Sequence, residues 1–185
     1  MTVELPAEKV RAMSPAERAQ YAAEIDRRLV RFRETTPNWQ AFSEAQLPGN
    51  ERGFYQYIGT GASDRGGRGP IAEGENFSFG IVVAGPGRGA PLHAHTTEEV
   101  FIPLTGSWSI YWGEPGEERQ RILEPWDAVS VPAPVMRGFR NVGTEDAFLL
   151  CLLGGGAPPP PIYHESVTER LEQWHPGIRH ERSDA

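Results

Sequence analysis

Pro91-Leu92-His93-Ala94-His95-Thr96-Thr97-Glu98-Glu99-Val100 is the stretch on which the reading of the chain turns. His93 and His95 are separated by one residue, so on a strand both imidazoles leave the same face. A turn at Thr96-Thr97-Glu98 brings Glu99 back beside them on the following strand. Two neutral imidazoles and one carboxylate on a rigid sheet suit a first-row divalent metal and leave coordination positions open. Glu98 leaves the opposite face from Glu99 and ranks behind it as the carboxylate ligand.

Outward from this stretch, short apolar segments are punctuated by turn residues. Beside the strand carrying the two histidines, strands are expected over 54–58, 77–84, 99–104, 107–112, 128–131, 135–141 and 147–153. The 21 glycines and 17 prolines fall between such segments, as turns between strands do. The pattern predicts an antiparallel all-β sandwich or barrel. The Gly-rich, charged segment 59–76 reads as a long loop. Gly85-Pro86-Gly87-Arg88-Gly89 has no helix after it and no Lys-Ser/Thr pair, so it reads as a turn into the His-bearing strand and not as a phosphate loop.

The spacing Gly87, five residues, His93-x-His95, three residues, Glu99, six residues, Gly106 closely resembles the first motif of the cupin superfamily. A second motif is recognisable but altered: Trp126-Asp127 opens it, Pro132 and Asn141 keep their places, Pro134 replaces a glycine, and Arg137 stands where a third histidine belongs. The resemblance covers roughly residues 77–153. It implies an antiparallel double-stranded β-helix, the jelly-roll or cupin barrel, and His93, His95 and Glu99 as candidate metal ligands. It implies no substrate, because such folds host many chemistries.

Arginine stays protonated and cannot replace the missing ligand. A guanidinium about 5 Å from a dication is repelled by roughly 6–7 kcal/mol at an effective dielectric of about 20. Three arrangements meet that problem. An anionic substrate lies between metal and Arg137, which then serves as a catalytic and substrate-binding residue. Alternatively Arg137 pairs with Glu99 or Glu98 and leaves the metal site weak or empty. In the third arrangement a register change at Pro132-Ala133-Pro134 turns Arg137 out to solvent. The first is favoured. Phe101 and Phe139, expected on the inward face, would form an apolar wall for a ring-shaped or short-chain acid. No histidine occurs between residues 96 and 163, so a further imidazole could come only from His164, His175 or His180.

The 185 residues suffice for one well-buried core. Three regions are expected: a helical N-terminal extension over 1–50, the barrel over 51–155, and a Pro-rich exit with a C-terminal helix and tail over 156–185. In the first region Ser14, Pro15 and Glu17 form a helix start, and Tyr21, Ile25, Leu29 and Phe32 make an apolar stripe ending before Pro37. In the last, Ser166-Val167-Thr168-Glu169 reads as the capping box of a helix running through Trp174.

A net charge of -7, with no clustered basic face, argues against a nucleic-acid surface. No apolar run approaches membrane-spanning length and residues 1–6 lack signal-peptide features, so a soluble cytoplasmic protein without membrane partners is expected. Cys151, the single cysteine, sits in an apolar strand and reads as a buried thiol. The unpartnered helical stripe points to a homodimer. The functional expectation is a metal-dependent enzyme acting on a small anionic organic molecule. An Fe(II) dioxygenase-type oxidoreductase leads, with Mn, Ni or Zn as other metals. A non-oxidative isomerase, decarboxylase or lyase, or a metal-free binding cupin, are the alternatives.

Overall fold

The computed structural model describes residues 13–174 apart from Gly61 and Glu73, so His175 and His180 lie outside the described residues. Ten strands, β1 (Gly53–Ile58), β2 (Phe77–Ala84), β3 (Gly89–Ala94), β4 (Glu99–Pro103), β5 (Trp108–Trp112), β6 (Arg119–Leu123), β7 (Val129–Val131), β8 (Arg137–Asn141), β9 (Ala147–Gly154) and β10 (Ile162–Tyr163), are flanked by helices α1 (Pro15–Arg27) and α2 (Glu165–Trp174). They form two five-stranded sheets, β1-β2-β9-β4-β7 and β10-β3-β8-β5-β6. Every pairing is antiparallel. This is the jelly-roll architecture expected of the sequence, with short helices outside it.

The core lies between the sheets. Alternation sends Glu99, Phe101 and Pro103 of β4 inward while Val100 and Ile102 are only partly buried. Phe101, Trp108, Ile110 and Leu149 are almost wholly buried, and each such apolar side chain contributes about 1.5–3 kcal/mol. Asn141, which sits in the second motif, is buried by its own bonds. Its Nδ2 donates to the carbonyls of Ala84 (2.9 Å) and Glu145 (2.8 Å), and its Oδ1 accepts from the Gly143 amide (2.9 Å).

Three strands depart from the sequence reading. β6 has four exposed residues in Arg119-Gln120-Arg121-Ile122 and no alternation, so only its ladder to β5 makes it a strand. β10 is two residues long and pairs with the His-bearing β3. The strand expected from residue 135 begins at Arg137, after a bend with a cis Ala133–Pro134 bond.

α1 starts as expected: the Ser14 hydroxyl accepts from the Glu17 amide and the Glu17 carboxylate accepts from the Ser14 amide, at 3.2 and 2.7 Å. It ends at Arg27, short of the expected stripe. Phe32 lies beyond it in a 3-10 turn, where its ring packs on Tyr55 and Phe148 at 4.9 and 5.6 Å between centroids. That anchorage to the outside of the β1-β2-β9 sheet takes the chain out of the helix. α2 begins one residue before Ser166, and its cap is His164, whose ring nitrogen Nδ1 accepts from the Ser166 amide at 3.2 Å. Among the described residues no helix is long and apolar enough to cross a membrane.

Candidate metal centre

β3 pairs with β8 through Gly89–Arg140, Ala90–Phe139 and His93–Arg137. Three residues on β3 span two on β8 there, so one extra residue bulges next to Pro91. The bulge lets both Ala90 and His93 face inward despite their odd spacing. His95 follows just beyond the strand end and is equally buried. Glu99 opens β4 in the opposite sheet, so the three candidate ligands converge across the mouth of the barrel.

One potential ligand atom from each of His93, His95 and Glu99 lies within 4.8 Å of the other two. The Nε2 atoms of His93 and His95 stand 4.0 and 3.9 Å from Oε2 of Glu99. All three residues are about 5% exposed. The Nδ1 of His93 is 2.8 Å from the Pro91 carbonyl, which can only accept. Nδ1 therefore carries the proton, and Nε2 turns a bare lone pair toward Glu99. Burial, reinforced by neighbouring His95 and Arg137, holds the His93 imidazole well below the usual histidine range. Burial and then Arg137 depress His95 to about 3. Both rings are thus neutral at physiological pH. The separations of Nε2 from Glu99 are too long for hydrogen bonds. They fall within the span of two metal–ligand bonds of about 2.0–2.2 Å each. The residues fit a divalent ion.

Arg137 is wholly buried and turned inward, not out to solvent. Its Nε and Nη2 donate to Glu99 Oε2 at 3.0 and 2.8 Å, and its Nη1 donates to the Val135 carbonyl at 3.2 Å. Burial raises the Glu99 carboxyl while the Arg137 guanidinium opposes the rise. Glu98 is exposed and accepts from the Ser130 hydroxyl, outside the cluster.

A cavity of about 40 Å³ lies against the triad. It has room for a few water-sized groups. His93, His95, Glu99 and Phe139 line it. Phe101 and Arg137 are not among its lining residues: Phe101 packs beneath Phe139 at 5.4 Å between ring centroids, and Arg137 sits behind Glu99. His164 is not drawn into the cluster, and its Nε2 lies 3.4 Å from Glu114 Oε2. Cys151 borders the cavity as a thiol, and burial pushes its pKa well up.

The guanidinium that does line the cavity is Arg52, just before β1, and its partner Glu44 comes from a 3-10 turn over Ser43–Gln46. Both are almost wholly buried, and Arg52 Nη2 donates to Glu44 Oε1 at 2.5 Å. The Arg52 guanidinium lies 4.5 Å from the Phe42 ring centroid and 5.7 Å from that of Phe139. Sequence reasoning missed this pair. Arg52 and Glu44 precede the barrel and belong to no periodic pattern, so nothing local marks them as inward-facing.

A sequence profile of the cupin domain matches residues 80–153. Auxin-binding protein 1 of Arabidopsis thaliana is 28% identical over 85 residues, and the aligned stretch spans less than half of either protein, 43% of each. Among solved structures, the polyketide cyclase RemF from Streptomyces resistomycificus superposes with a TM-score of 0.54 at 19% identity, covering 73% of this chain and 83% of that one. A RmlC-like cupin from Shewanella frigidimarina covers 69% of this chain and 89% of its own, with a TM-score of 0.48 at 12% identity. Two antiparallel sheets, the matched profile and the motif spacing agree: residues 80–153 form a cupin domain.

Proposed function

We propose that the protein is a metal-dependent enzyme acting on a small anionic organic molecule, with His93, His95 and Glu99 as the metal ligands. The observation that carries this reading is the convergence of Nε2 of two buried, neutral imidazoles on one carboxylate oxygen, at separations too long for hydrogen bonds. A bound divalent ion, Fe(II) by preference and Mn, Ni or Zn otherwise, supplies open coordination positions and, as iron, electrons for dioxygen chemistry.

The chain's own residues supply orientation and charge. The Pro91 carbonyl fixes the His93 tautomer. Arg137 acts through Glu99, holding its carboxylate in place with two hydrogen bonds. Phe42, Phe54 and Phe139 wall the cavity and limit water. Around the cavity the two carboxylates are each matched by one guanidinium, Glu99 by Arg137 and Glu44 by Arg52, and both imidazoles are neutral. A dication added to that environment leaves an uncompensated positive charge, which an anionic substrate offsets. The small cavity favours a short-chain acid over a ring.

Oxygen consumption by anaerobically Fe(II)-loaded protein, screened against short-chain hydroxy and keto acids, tests the oxidative form of this reading. Uptake coupled to substrate loss is expected. Turnover without oxygen would place the protein among isomerases, decarboxylases or lyases. No turnover by fully loaded protein on any of these acids contradicts the proposal for this substrate class.

One observation favours a second reading, a metal-free binding cupin: Arg137 already spends two hydrogen bonds on the Glu99 oxygen nearest the histidines. Metal content separates the two.

A further inference from the structure

β1 is the edge strand of its sheet, and along its free side the preceding chain is bridged to it at Asn38, which exchanges backbone hydrogen bonds with Phe54. Beside that bridge lies a surface groove of about 390 Å³, between residues 34–41 and the loop over 63–70. It is far roomier than the cavity of about 40 Å³ at the triad.

A single layer of residues separates groove from cavity. Phe54 and Gln56, two apart on β1 and so on one face of it, line both. On each covering segment neighbouring residues divide between the two spaces: Ala41 lines the groove and Phe42 the cavity, Ser63 the groove and Ala62 the cavity. The two segments are tied together. The Ser63 hydroxyl donates to the Ala41 carbonyl, and the Ser43 amide donates to Asp64 Oδ1 at 2.9 Å. Phe54 is also held, edge-on against Phe42 at 5.4 Å between ring centroids and so close to Gly80 that a Cβ there would lie 2.3 Å from Cζ.

Gln56 is the loosest part of this wall. It is half-buried, and its amide is anchored by Nε2 donating to the Gly59 carbonyl at 3.0 Å. On the groove side Gly67 leaves room for it, since a Cβ at Gly67 would lie 2.7 Å from Gln56 Oε1. An unbranched side chain changes rotamer far faster than bonded backbone segments part.

We propose that the groove is the entrance to the cavity and that Gln56 is its gate. With the bond to Gly59 made, Gln56 closes the wall. When its amide swings out into the groove, a small organic molecule passes beside Phe54 toward the triad. The short-chain acid of the functional reading above would take this path, but the path itself does not depend on a metal at His93, His95 and Glu99.

Cys151 supplies the probe. It is the only cysteine of the chain, it is free, and it lines the cavity. Methyl methanethiosulfonate transfers its methylthio group to a thiolate with loss of methanesulfinate, so the rate of modification of the metal-free full chain reports how often a small molecule reaches the cavity. Burial raises the thiol pKa, so variants are compared at one pH. Gln56→Ala is expected to raise the rate about tenfold, the effect of a barrier lowered by roughly one hydrogen bond. Thr36→Trp adds bulk at an exposed position of the groove, leaves Gln56 in place, and is expected to lower the rate at least about threefold. Pro161→Ala trims another part of the cavity wall and is expected to change the rate less than about twofold. Each rate is followed through low urea, where a gated path gives a flat profile and access by global unfolding gives a climbing one. Should Gln56→Ala fail to fold, Thr36→Trp decides. The proposal is overturned by a climbing wild-type profile, by a folded Gln56→Ala or Thr36→Trp that labels like wild type, or by a larger gain from Pro161→Ala than from Gln56→Ala. Because the protein is metal-free throughout, failure of the metal reading leaves these rates unchanged, and failure of the gate leaves metal binding unchanged.

Discussion

Arg137 grips Glu99 by a single oxygen: its Nε and Nη2 both donate to Oε2, the same atom that both His93 Nε2 and His95 Nε2 approach within 4.0 Å. A residue in place of a third histidine thus bonds to the remaining carboxylate and occupies the position behind it. It orients Glu99 and counters its charge in a pocket from which water is largely excluded.

Removing one partner of this pair is expected to be costly. Arg137→Met leaves the Glu99 carboxylate buried without its guanidinium and is expected to lower stability by about 3–5 kcal/mol in urea denaturation. The double variant Glu99→Gln/Arg137→Met removes both charges and is expected to recover a large part of that loss. Near-additive losses would show that Glu99 and Arg137 do not act as a pair.

Gly80 makes room for Phe54 at the cavity wall. A Cβ at Gly80 would lie 2.3 Å from Phe54 Cζ, so Gly80→Ala forces the ring to move. A loss of about 1–3 kcal/mol is expected, together with altered ligand affinity because Phe54 lines the cavity. Thermal unfolding and titration of the metal-loaded chain with a short-chain hydroxy acid measure the two effects.

Much of the architecture was legible because it is local. The His93-x-His95 spacing, the turn back to Glu99 and the alternation through Phe101 each depend on a few neighbouring residues. Arg137 was also recognisable as the substitution in the second motif, but not which of three ways it would turn. That is decided by the bulge beside Pro91, which sets His93 opposite Arg137 across β3 and β8. Arg52 and Glu44 were not legible at all. They reach the cavity because the chain before β1 is folded over the barrel, with Arg52 Nη1 bonded to the Gly89 carbonyl of β3, 37 residues away. β6 was missed because its side chains are polar and solvent-facing, and its evidence lies in its partner β5.

The exposed apolar residues of α1 and of the chain just after it lead to an oligomeric expectation. Tyr21, Ile25 and Leu29 are each more than half exposed, although apolar residues at helical spacing ordinarily cover a surface. A homodimer, with twice the 20.5 kDa chain mass, is expected by light scattering after size exclusion. Ile25→Glu is expected to shift it to monomer without lowering the stability of the barrel. A wild-type chain that remains monomeric at high micromolar concentration contradicts this expectation.

On the proposed function, His93, His95 and Glu99 together hold one divalent ion. Elemental analysis of untagged protein, purified without chelators and again after anaerobic Fe(II) loading, tests it most directly, with His93→Ala/His95→Ala as the control. The expected result is close to one ion per wild-type chain and almost none in the folded double variant. A wild-type chain that stays metal-free after loading, or a double variant that binds as much metal as wild type, would contradict it.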